Sequence, residues 1–196
     1  IWYLDQPNVY GEKDGIIDNN DKVYMGYPTN PEIIYGFGPS IKWKNWDCSF
    51  FFQGAARVSL MMSGIHPFGN TTLTNVRQFI ADDYWSEANP NPNAKYPRLS
   101  VESNSHNTEY SDYWLRNAAF LKLKNAELGY TFKNMRFYLS GSNLLTFSPF
   151  KEWDPEMGGG NGLKYPTQRV FNLGFQMTFK SVSYTHLRAH ETLRHL

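Results

Sequence analysis

Long apolar runs are missing from this chain. No stretch approaches 18 consecutive apolar residues, which excludes a transmembrane helix. Cysteine is nearly absent: Cys48 stands alone, so no internal disulfide can form and the redox compartment is not indicated. Charge of one sign is lacking too, with a formal net charge of +1. That balance argues against nucleic acid as a partner, since phosphate binding requires a basic face. A mean hydropathy of −0.55 decides little, because the apolar residues of a β-barrel alternate with polar ones and dilute the average. The chain opens at Ile1 rather than Met, with no leader-like segment, so a longer parent is expected and the compartment stays open.

What the chain has in quantity is aromatic surface: six Trp, 13 Tyr and 14 Phe. Such residues suit sheets, sugar-binding surfaces and membrane interfaces. Much of this surface is laid out with period two. In the stretch 169–179, Phe171, Leu173, Phe175, Met177 and Phe179 fall on one side, with Val170, Asn172, Gly174, Gln176 and Thr178 on the other. At about 3.3 Å per residue and a tilt of about 45°, such a strand rises roughly 25 Å, the height of a barrel's lipid-facing band.

Four further segments repeat the pattern. Strands are expected at about 33–44 and 46–56, joined by a tight turn at Lys44–Asn45. Pro39 must be absorbed by a bulge or a local loss of pairing, and Phe51 interrupts the polar face. A third strand, 118–132, changes phase: Leu121 and Leu123 have one parity, Ala126, Leu128, Tyr130 and Phe132 the other. One bulge near Lys124–Asn125 repairs the facing. A turn at Lys133–Asn134 leads into a fourth strand, 135–147, and 169–179 is the fifth. The connections alternate short and long, which places both tight turns and Phe179 at one end. Trp43, Trp46, Phe132 and Phe179 gather there, as an interfacial aromatic girdle would.

The long connections carry the remaining candidates. Arg57 to Tyr113 is rich in Asn, Pro, Ser and Gly, with a short helix expected within Thr74 to Tyr84. Near the front, Asp14, Asp18 and Asp21 partly follow a calcium-loop spacing, but Tyr10 stands where the first carboxylate belongs, so an acidic surface turn is the plainer expectation. Glu152, Asp154 and Glu156 surround Trp153 and suggest a pair of glycosidase carboxylates. On a loop, acids two apart are more commonly turn and solubility residues. His66 and His106 gain no partner from spacing, and Cys48 sits among apolar neighbours as a packing or lipid-facing residue. There is no triad, phosphate loop or zinc spacing, so neither an enzyme nor a cofactor is expected.

Six stretches, 10–26, 35–55, 84–100, 111–132, 137–156 and 171–179, together resemble the C-terminal part of SusC/RagA-type TonB-linked outer membrane proteins, in that family's order. SGSNLLTF (140–147) and the aromatic-ended FNLGFQMTF (171–179) are the most specific. The resemblance implies an all-β fold, with residues 1–179 forming the C-terminal portion of a large transmembrane β-barrel: about five antiparallel strands of roughly 22, with long extracellular loops. It implies a plug domain and TonB-contacting segment upstream, and a place in the bacterial outer membrane. It also implies a role in nutrient import, of glycans or peptides, with a SusD-like surface lipoprotein as lid. Further partners so implied are the TonB complex through the plug, outer-membrane lipid, and the barrel assembly machinery, which would read Phe179. In this reading Trp85, Trp114 and Trp153 are loop residues able to stack on substrate, or to anchor the loops. The alternative is a soluble carbohydrate-binding β-sandwich, which also alternates and exposes aromatics.

Residues 180–196 stand apart. Val182 to Thr192 resembles the conceptual translation of a transposase-type sequencing adapter, and the alternation stops at Phe179. From Val182 onward the tail holds Arg188, Arg194 and Glu191, so without residues 182–196 the net charge falls to zero. It also holds His186, His190 and His195, which are not a metal motif of the fold.

Overall fold

A computed structural model describes residues 1, 3–65, 68, 75–102 and 105–179; His66, Pro67 and the 180–196 tail lie outside the described residues. The chain builds one antiparallel sheet and, at the sheet's long-loop end, a packed cap. The sheet's strands are β1 (Ile33–Phe37), β2 (Ser40–Trp43), β3 (Trp46–Ala56), β6 (Phe120–Phe132), β7 (Met135–Phe147) and β8 (Val170–Met177). Its order is β1-β3-β6-β7-β8, with β2 also paired to β3. Two short strands, β4 (Ser59–Met61) and β5 (Leu115–Asn117), pair with each other at the cap's base.

The stretch 33–44 is not one strand but two. Pro39 has no amide hydrogen to give the ladder, so pairing lapses at Gly38–Pro39, although the Pro39 carbonyl still accepts from the Phe50 amide at 3.0 Å. The last strand is also shorter than 169–179. Met177 faces Met135, the first residue of β7, so β8 loses its partner strand there; Thr178 is held to Asn134 alone, its amide donating to the Asn134 carbonyl at 2.8 Å and its carbonyl accepting from Asn134 Nδ2 at 3.2 Å. At its other end β8 stops where Asn143 kinks β7 into left-handed backbone (φ 54°). The third strand begins at Phe120 rather than 118, and the helix within 74–84 is a single turn, α1 (Gln78–Ala81).

Register explains the change of phase in β6. Phe51 faces Asn125 and Phe52 faces Leu123, so Lys124 is the extra residue of a bulge. With Lys124 set aside, the apolar residues line up in rows across the sheet. One row is Trp43, Trp46, Tyr130, Phe137 and Phe175; the next is Ile41, Cys48, Leu128, Leu139 and Leu173. Leu128, Leu139 and Leu173 are exposed, Leu173 by 87%. Both tight turns, at Lys44 and Lys133, take left-handed backbone (φ 54° and 56°), as hairpins with a right-handed twist require. β6 and β7 each have 13 residues, enough to rise about 30 Å at a 45° tilt.

The opposite face is polar. Asp47, Ser49, Gln53, Lys122, Glu127, Thr131, Arg136, Ser140, Ser142, Asn172 and Gln176 occupy it by register. Near the tight turns Arg136 donates to Asp47, with Nε–Oδ1 at 3.1 Å, and to Glu127 at 2.6 Å. Gly129 lies beneath this triad: a Cβ there would stand 2.5 Å from Arg136 Nη2 and 2.6 Å from Asp47 Oδ2. Apolar outside and polar inside is the inversion a barrel wall in lipid demands.

Candidate functional site

Among the described residues the hydrophobic core lies beyond the large sheet, which contributes only Ala55 from the end of β3. Val58, Leu60, Met62, Ile65, Phe68, Ile80, Tyr96, Trp114 and Phe150 are buried together. The described residues of the 57–113 excursion therefore pack as a folded cap. Trp114 is its centre: its ring lies 5.5 Å from Phe68 and 6.5 Å from Tyr96, and its Nε1 donates to the Asn107 carbonyl at 2.9 Å. At 3% exposure it offers no face for stacking and serves as an anchor. Trp153 is half-buried, edge-on to Phe150 at 4.7 Å, with Nε1 bound to the Gly158 carbonyl. Trp85 is half-buried, and its amide pairs with the Tyr96 carbonyl.

The three acids around Trp153 form a strap. Glu152 reaches the cap, pairing with Lys95 and lying 3.4 Å from the Tyr96 hydroxyl. Asp154 and Glu156 reach the wall, where Lys122 Nζ meets Asp154 Oδ2 at 2.5 Å and Glu156 Oε2 at 2.6 Å. Lys124, the bulge residue, adds a second ammonium to Glu156 at 2.6 Å, and Thr167 donates to Asp154. Lys122 is 1% exposed. A charge so buried persists only when paired on several sides.

Burial opposes ionisation of all three acids, but hydrogen bonds and charge from the lysines outweigh it, holding each below its ordinary value. These carboxylates are occupied by lysines, an arrangement that binds loops together and leaves no free acid–base pair. In the cap, burial pushes the Tyr113 phenol up to about 12; it donates to the Lys95 carbonyl at 2.7 Å.

The other sequence candidates are placed as follows. Asp14 accepts from the Ile16 amide, Asp18 caps the short turn Asn19–Asp21 through the Asn20 amide, and Asp21 accepts from Gln6 and Asp18 amides. Their oxygens serve the loop backbone, and among the described residues no three His, Cys, Asp or Glu side chains gather as a metal site. His106 bonds to the Ile1 carbonyl and stacks edge-on against Tyr3. Cys48 is a free thiol in the outer-face row of Leu128 and Leu139. Phe179 is 81% exposed beyond the end of β8.

Comparison with known proteins agrees with this architecture. No protein-family model matches the chain. It is 32% identical over 190 residues to TonB-dependent receptor P26 of Formosa agariphila, covering 85% of this chain and 19% of that protein. It is 28% identical over 178 residues to TonB-dependent receptor SusC of Bacteroides thetaiotaomicron, covering 85% of this chain and 17% of SusC. The chain is a segment of a SusC/RagA-type TonB-dependent receptor. Among solved structures, the RagAB peptide importer in its open-open state superposes with a TM-score of 0.65 at 23% identity, over 91% of this chain and 20% of that one. The RagAB peptide transporter gives 0.66 over 86% of this chain and 20% of that one. The receptor segment thus shares that barrel fold and spans about a fifth of the length of the relatives it matches. The named relatives are receptors and importers, not enzymes.

Proposed function

We propose that this segment forms wall and outer mouth of an outer-membrane barrel that imports nutrients, glycans or peptides, using energy delivered by the TonB complex to an upstream plug. The observation that carries the reading is the inverted sheet: an apolar face of exposed Leu and Phe, a polar face opposite, and a packed cap at the long-loop end only. Lipid takes the apolar face, and the aromatic rows at Trp43, Trp46, Tyr130 and Phe137 sit at the inner interface. The cap faces outward, where a SusD-like lipoprotein would close over it and where Trp85 and Trp153 would meet substrate. Phe179 is the residue offered to the barrel assembly machinery. A soluble sandwich needs a second sheet over the apolar face, and among the described residues that face lies open. The test is the full-length receptor expressed in an outer-membrane host. A barrel migrates differently on gels before and after heating, and uptake of its nutrient stops when TonB is removed. Identical migration, or uptake indifferent to TonB, would sink the reading.

A further inference from the structure

Apart from Arg77, each half-buried or buried cation described in the wall and cap has a carboxylate or carbonyl to answer it. Lys122, Lys124 and Arg136 have acids. Arg116 donates to the Tyr113 and Leu115 carbonyls. Arg77, half-buried in the cap just ahead of α1, has neither. Its Nη2 is sealed from solvent without a hydrogen-bond partner. Its guanidinium lies 5.8 Å from the Phe79 ring centre, and Phe79 in turn is 6.3 Å from Trp153. Gly162 makes room for the group: a Cβ there would stand 2.5 Å from the Trp153 ring and 3.0 Å from Arg77 Nη1. Burial alone shifts Arg77, lowering its pKa, with no carboxylate close enough to oppose it.

An unmatched cation held against aromatic rings at low hydration costs stability, and such groups are retained where a ligand completes them. Arg77 is only half-buried, so a planar anion can approach the N–H groups of its guanidinium other than the sealed Nη2. We propose that Arg77, backed by Phe79 and Trp153 and given space by Gly162, is a subsite for a carboxylate carried by the solute. The proposal rests on the importer reading, since it makes the outer mouth a binding surface. The carboxylate could belong to a peptide or to a uronic acid; both present the same planar anion to the same donors.

The test uses purified full-length receptor and titration calorimetry with four probes: a hexapeptide ending in Glu, its fully amidated form, trigalacturonate, and its methyl ester. One carboxylate probe is expected to bind at least about tenfold tighter than its neutral counterpart, the scale of one hydrogen bond to a charged group. Which of the two binds names the source. Arg77→Gln should erase that preference, Arg77→Lys should restore only part of it, and Arg98→Gln, a change at a surface pair with Glu87, should leave it intact. Without ligand, Arg77→Gln should melt at or above the wild-type temperature, because it removes an uncompensated charge. Equal affinity for acid and neutral forms, no binding of either acid probe, or undiminished preference in Arg77→Gln overturns the proposal. A fall in melting temperature for Arg77→Gln overturns it too, by making the arginine structural. Binding is read without transport, so a receptor that binds but does not import would cost the importer reading and leave the subsite standing. Import without acid preference would do the reverse.

Discussion

The wall and the cap follow opposite rules for where apolar atoms go. In the wall, Leu139, Phe171 and Leu173 turn outward, and a lysine, Lys122, turns inward to be buried. In the cap, Trp114, Phe68 and Tyr96 pack inward as in any water-soluble domain. The difference is the one that the proposed setting requires, with lipid around the wall and water around the cap. The boundary between them is the strap of Glu152, Asp154 and Glu156. Polar residues facing a lumen cost little beside water, whereas a polar residue on the outer rows would stand unsatisfied in hydrocarbon.

The comparison can be broken from either side. The largest effect is expected in the cap: Trp114→Ala should cost about 3–5 kcal/mol of local stability, as for a large aromatic removed from a core. Limited proteolysis should then cut 57–113 rapidly while heat-modifiable migration persists. Loss of the barrel together with the cap would mean the two are one cooperative unit. In the wall, Leu139→Arg should cost about 2–4 kcal/mol, the price of a cation at mid-bilayer. Urea unfolding from liposomes measures it, and an unchanged midpoint would remove Leu139 from the lipid face.

At the boundary, Lys122→Met should cost about 2 kcal/mol. That is less than breaking a fully buried pair, because Asp154 and Glu156 keep some water. Faster amide exchange across 150–167 with unchanged exchange in β7 would locate the loss in the strap. The smallest effect is with acid. All three strap carboxylates are held below their ordinary values, so their contribution is full above the usual carboxylate range near 4 and drains away as pH falls through the lower folded values. Exchange in 150–167 should therefore quicken only below about pH 4. Quickening between pH 7 and 5 would implicate other groups.

The wall was legible in the sequence because its information is local. Alternation of Phe137, Leu139 and Leu145, the turns at Lys44 and Lys133, and the parity change around Lys124 are all read within a dozen residues. Pro39 marked the break between β1 and β2 but not whether it would be a bulge or a gap. The cap was not legible, because its packing joins Phe68 to Trp114 and Tyr96 across long separations, without periodicity. The strap was half visible. Its acids were plain, but Lys95 and Lys122 lie 57 and 32 residues from their partners. A single cue existed: Lys122 stands between Leu121 and Leu123 in a strand whose outward positions carry no charge. Arg77 gave no signal at all, since what distinguishes it is a missing hydrogen-bond partner.

Lys124 has a consequence for how the gene can change. As the extra residue, it takes up one position of the chain without changing the facing of the residues on either side. Deleting it would let Asn125 follow Leu123 in regular alternation, as Phe52 follows Phe51 opposite, so Leu121 and Leu123 would keep the outer face and Lys122 the inner one, and the strap would lose only its second ammonium on Glu156. The bulge is thus the place in β6 where a single codon can be lost with every other side chain kept on its face; elsewhere in the strand, length changes must come in pairs.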